Sequence, residues 1–143
     1  DCPPSLGLLT INALTASDQV LIPMQCEYFA MRGIRMLLQA IDWIKARVNN
    51  RLELGGILVT MYSTGTIHHR EVLDEMRSVF GPKVFQAVIQ KSIRFAEASV
   101  ASQSLVEWAP EHKGTQAYRA LAREIVAQGP ATWPGASGRP GRA

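Results

Sequence analysis

Apolar positions along the chain follow two rhythms, the 3.6-residue period of a helix and the short continuous runs of a buried strand. Ser5 can cap a first helix carrying Leu6, Leu9, Ile11 and Leu14, which ends near Ala16-Ser17-Asp18. Val20-Leu21-Ile22 then reads as a buried strand over 19–23, with Pro23 predicted to stop it. Residues 29–48 set Ile34, Leu37, Leu38, Ile41, Ile44 and Val48 on one helical stripe, with Arg35, Gln39, Asp42 and Arg47 pointing elsewhere. Asn49-Asn50 breaks that helix, and Gly56 to Met61 is a second strand rich in β-branched residues. Val72, Leu73, Met76, Val79 and Phe80 predict a helix over 67–80, closed by Gly81-Pro82. Val84 to Ile89 is a third strand, 90–110 reads as mostly loop with one short helical turn, and Tyr118, Leu121, Ala122 and Ile125 mark a last helix over 115–128. After the first helix the order is β-α-β-α-β-α. That alternation predicts an α/β fold with right-handed crossovers and a parallel sheet flanked by helices on both faces. Residues 129–143 hold four glycines, three prolines and a lone Trp133 without periodicity, so they predict a disordered tail.

Composition agrees with one domain spanning 1–128. A chain of 143 residues, 47% hydrophobic, can bury a real core. Charged residues make up 19%, mean hydropathy is +0.01, and no apolar run nears the roughly 18 residues of a membrane helix. Disorder of the body and membrane spanning are both disfavoured. Two cysteines build neither a disulfide framework nor a four-ligand zinc site, and no signal peptide precedes them, which fits a reducing cytoplasm. The net charge of +3 hints at nucleic acid, but Arg139 and Arg142 in the tail supply two of those charges. A basic partner surface must therefore come from local clustering. The chain opens on Asp1-Cys2-Pro3-Pro4 with no initiator methionine, which predicts a fragment whose first turn follows an upstream strand.

In open α/β sheets ligands sit outside the carboxyl ends of the strands, which directs attention to Asp1, 23–27, 61–66 and 89–97. His68-His69-Arg70 suggests a metal, but adjacent histidines at a helix start point apart and no carboxylate or cysteine completes a set. Cys2 and Cys26 read as buried reduced thiols. Ser5 and Ser63 lack a histidine–carboxylate pairing, so nucleophilic catalysis is set aside. Arg32, Arg35, Arg47 and Arg51 read as the wet face of the long helix and its end.

The string DCPPSLGLLTINALTASDQVLIPMQCEYFAMRG, followed by LELGGILVTMY and AYRALAREI, closely resembles the ParA/Soj family of chromosome- and plasmid-partitioning ATPases over about residues 1–128. The resemblance implies a truncated P-loop NTPase fold of the deviant Walker A type. DCPPS matches the family's Walker B and switch segment, so Asp1 is implied to hold Mg²⁺ through water while phosphates bridge the metal. Met61, Tyr62, Ile89 and Gln90 are implied to lie near the adenine, and Lys91 and Arg94 to contact DNA. The family's Ile-Pro-Arg-Asn-Val-Arg reads Ile89-Gln90-Lys91-Ser92-Ile93-Arg94 here, keeping both basic positions and losing the proline that fixes φ. A family acidic residue and a DNA-contacting arginine are replaced by Ser63 and Gly65, which predicts weaker DNA binding.

No GxxxxGK[ST] occurs in the 143 residues, so the phosphate cradle is missing and these residues alone are not expected to hydrolyse ATP. In intact form the resemblance implies ATP and Mg²⁺ as cofactors, a homodimer, non-specific DNA and a ParB-type partner, no membrane, and a place on the nucleoid. The alternative is a non-catalytic remnant acting as a dimerisation or DNA-binding module. A MinD-like cargo positioner fits less well, because the Gly/Pro tail cannot form a membrane-binding amphipathic helix.

Overall fold

The computed structural model describes residues 7–27 and 30–128, so the expectations at Asp1, Cys2, Ser5 and the 129–143 tail lie outside the described residues. In chain order the elements are α1 (Leu8–Ala16), β1 (Gln19–Gln25), α2 (Ala30–Arg47), β2 (Glu53–Tyr62), α3 (Ile67–Phe80), a 3₁₀ turn (Gly81–Lys83), β3 (Val84–Gln90), α4 (Arg94–Val100), α5 (Leu105–Trp108) and α6 (Lys113–Ala127). The three strands are parallel, in the order β1-β2-β3.

Alternation along the strands divides the core into two layers. Ile22, Met24, Ile57, Val59 and Val84 pack with Ile34, Ile41 and Ile44 of α2 and Val72, Leu73 and Met76 of α3. On the other face, Leu58, Phe85, Ala87 and Ile89 pack with Leu121 of α6. Helices therefore lie on both faces, as the α/β alternation predicts.

Several local expectations are corrected. Pro23 does not end β1: it pairs in register with Leu58, and the strand runs on to Gln25. Among the described strands β1 is an edge, where a residue without an N–H is tolerated. In α1 the buried residues are Thr10 and Leu14, while Leu9 is 74% exposed, so the expected Leu9 stripe does not face the core. Val48 and Val79 are also exposed. Asn49, expected only to break a helix, is buried. Its amide donates to the carbonyls of Leu14 at 3.0 Å and Ser17 at 2.7 Å, and its Oδ1 accepts the Arg51 N–H, which ties the end of α1 to the turn before β2.

Residues 90–110 are not mostly loop, since they contain both α4 and α5. These helices, of seven and four residues, are too short for periodicity to reveal, and local bonds define them. Ser104 caps α5 by accepting the Glu107 N–H, and the buried Thr115 hydroxyl donates to the Ala109 carbonyl at 2.7 Å.

The β2–β3 ladder is irregular. Ile57 faces Val84 whereas Val59 faces Val88, so β3 carries extra residues between these pairs. The backbone N–H groups of Gln86 and Ala87 are instead accepted by the two carboxylate oxygens of Glu124 at 2.8 and 2.7 Å, and an Arg77 Nη donates to the Gln86 carbonyl at 3.4 Å. The Phe85 ring lies on Gly56, where a Cβ would come within 2.4 Å of it.

Candidate functional site

The carboxyl ends of β2 and β3 form one surface. Tyr62 pairs with Gln90, and the Lys91 N–H donates to the Tyr62 carbonyl at 3.0 Å, which joins the two strand-following loops. Met61 is 46% exposed and sits at φ 54°, a left-handed conformation uncommon for a side chain of its size. Such local strain clusters at functional sites. Tyr62 is half-buried and Gln90 exposed, while Ile89 is buried beneath them against α6. Of the four residues implied to border a base, three thus present a surface and Ile89 supplies packing.

The loop after β2 is held by a residue whose role sequence reasoning missed. His69 Nδ1 accepts the Ser63 N–H at 2.9 Å, and the His69 ring lies 5.9 Å from that of Tyr62. Within the His68-His69 pair, His69 is thus a loop clasp. Gly65 is exposed, and a Cβ there would meet nothing within 4 Å.

After β3, the exposed Lys91 and the half-buried Ser92 lie in a short loop, whereas Arg94, expected in that loop, is exposed as the first residue of α4. The Arg94 N–H donates to Ser92 Oγ at 3.2 Å, and its guanidinium pairs with Glu97 at 2.9 Å. Both partners are half-exposed, so the pair is weak and a phosphate can compete for the arginine. The four arginines expected on the wet face of the long helix and its end lie elsewhere. Arg32 and Arg35 are exposed on α2, Arg47 stacks over Trp43 at 5.1 Å, and Arg51 lies 4.0 Å from Asp18.

Cys26, just past β1, is buried, and burial followed by the neighbouring Glu27 charge pushes its thiol above the ordinary value. A neutral thiol is a poor nucleophile, so Cys26 belongs to the core. Among the described residues no group of three or more His, Cys, Asp or Glu side chains could hold a metal ion. No helix among them is long and apolar enough to cross a membrane. Met61, Tyr62 and Gln90 thus lie at the ends of β2 and β3, with Lys91 and Arg94 just beyond, and no GxxxxGK[ST] cradle for a triphosphate occurs among the described residues.

A family model described as an AAA domain matches residues 1–54. An uncharacterised protein of Mycobacterium tuberculosis is 46% identical over 126 residues, covering 88% of this chain and 40% of that protein. The chromosome-partitioning ATPase Soj of Treponema pallidum is 42% identical over 128 residues, covering 90% of this chain and 51% of Soj. Among solved structures, cobyrinic acid a,c-diamide synthase from Mycobacterium smegmatis with bound ADP and magnesium superposes with a TM-score of 0.70 at 31% identity, covering 100% of this chain and 49% of that one. The chain spans about half the length of the curated relatives it matches.

Proposed function

Because the chain belongs to the ParA/Soj family of chromosome-partitioning ATPases, we propose that it supplies the adenine border and the DNA-contacting loop of such an enzyme. In intact form that enzyme binds and hydrolyses ATP with Mg²⁺, dimerises, binds DNA non-specifically on the nucleoid and answers a ParB-type partner, so as to segregate chromosome or plasmid DNA.

The observation that carries this reading is the junction of the two strand-following loops. The bond from the Lys91 N–H to the Tyr62 carbonyl, with the pairing of Tyr62 and Gln90, links the ends of β2 and β3 where Met61, Tyr62, Gln90 and Lys91 lie, and this supports assigning the base border and the DNA-contacting cations to adjoining segments. Nucleotide at the strand ends can thereby influence the loop that meets DNA. Bound Mg-ATP supplies the phosphoanhydride chemistry, and the part of these residues is to seat the base and present positive charge. Asp1 is the carboxylate proposed to hold the metal through water.

The test is DNA binding by the full natural chain with ATP and Mg²⁺, measured across a salt series on mixed-sequence duplex. Replacing both cations, Lys91→Ala with Arg94→Ala, should weaken binding and lower the slope of log affinity against log salt by about 2 per protomer, because each phosphate contact releases roughly one counterion. Unchanged affinity and slope would overturn the DNA-binding assignment. It would leave the alternative of a non-catalytic module acting in dimerisation.

A further inference from the structure

His112 lies 20 residues beyond Ser92 and belongs to a different element, yet its ring reaches the loop after β3. It is the N-cap of α6, and its Nδ1 accepts the Gly114 N–H at 3.0 Å. A backbone N–H can only donate, so Nδ1 carries the lone pair and the proton of the neutral ring sits on Nε2. That Nε2 faces Ser92 Oγ at 3.3 Å, and the same oxygen accepts the Arg94 N–H. The direction of the bonds shows that His112 does not activate Ser92 as a nucleophile, since the ring donates to the hydroxyl.

The ring has little freedom to turn away. Phe95 packs edge-on against it with centroids 6.4 Å apart, and Tyr118 packs edge-on against Phe95 at 6.1 Å. Gly114 leaves no slack either, because a Cβ there would lie 2.9 Å from the Phe95 ring and 3.0 Å from His112 Nδ1. The start of α6, the start of α4 and the loop between β3 and α4 are thus closed into one unit. Lys91 lies in that loop and Arg94 opens α4, and both are exposed.

We propose that His112 is a positioning residue which, through Ser92, holds Lys91 in the loop after β3 and Arg94 at the start of α4 in a phosphate-contacting arrangement. The inference rests on the assignment of Lys91 and Arg94 to DNA contact. A loop ordered before binding spends less of its contact energy on becoming ordered.

The test uses the full natural chain with ATP and Mg²⁺ and two variants that break the link from opposite sides. His112→Asn keeps a side-chain acceptor for the α6 cap but is too short to reach Ser92. Ser92→Ala leaves the His112 cap in place. Each should lower affinity for mixed-sequence duplex by about two- to tenfold, the range of one net hydrogen bond, and the double variant should be no weaker than either single one. Amide hydrogen exchange at 91–95 should quicken in both without DNA, while the melting temperature of His112→Asn stays near that of the parent. Unchanged exchange in Ser92→Ala, or fully additive losses in the double variant, would overturn the link. If Lys91→Ala/Arg94→Ala itself leaves DNA binding unchanged while exchange responds as described, the DNA assignment fails and the His112 clasp is only structural.

Discussion

At Gly65 the backbone adopts no left-handed conformation that would demand glycine, and the space beyond its Cα is open. The family resemblance puts a DNA-contacting arginine at this position, on the loop that Lys91 joins through Tyr62. Gly65→Arg should therefore be tolerated by the fold. It should raise affinity for mixed-sequence duplex and steepen the salt dependence by about one unit of slope. Titrations of the full chain at several salt concentrations would check this, and an unchanged slope would mean that the loop after β2 does not face DNA. At this scale the sequence is legible only where a motif spans adjacent positions. Lys91 and Arg94 stand out through the family segment, whereas the bonding roles of Asn49 and His112 do not. Asn49 reaches partners 35 and 32 residues away, and His112 reaches Ser92 across 20, so no local pattern announces them.

Among the elements, the long helices and the three strands follow from periodicity because each buries a continuous stripe or face. The errors fall where another element overrides local preference. Pro23 stays in β1 because that strand is an edge, and α5 forms because Ser104 caps it while the Thr115 hydroxyl and the buried Leu105 side chain tie it to α6. The irregular stretch of β3 is the clearest case, since its free N–H groups are satisfied only by Glu124, 37 and 38 residues later. Glu124→Ala removes both acceptors and should destabilise the protein by about 1–3 kcal/mol, a range set by charge-assisted bonds that remain partly open to water. Glu124→Gln retains an oxygen acceptor and should cost less. Urea unfolding of the three proteins would check the order, and equal stabilities would mean that water replaces Glu124 at the bulge.

For the molecule as a whole, the two faces of the sheet are unequally covered. The face bearing Ile22 and Met24 is closed by α2 and α3, whereas on the opposite face α6 covers β3 and part of β2 but Leu21 and Pro23 of β1 remain exposed. β1 also presents an edge among the described strands, and Leu8 and Leu9 of α1 are 78% and 74% exposed. Apolar surface of this kind beside an open strand edge invites pairing with another chain. The relatives matched here are about twice as long, which leaves room in such a protein for segments that cover it. Residues 1–143 produced by themselves should therefore self-associate at micromolar concentration and melt over a broad range. Mg-ATP should not raise their melting temperature, because ligand stabilisation requires a native site and the described residues hold no triphosphate cradle. Sedimentation velocity and thermal melts with and without Mg-ATP would check both halves of the prediction. A monomer with a sharp transition would show that the exposed β1 face tolerates water and that the segment is a self-sufficient module, while an upward shift with Mg-ATP would show that base contacts at Met61, Tyr62 and Gln90 suffice to bind nucleotide.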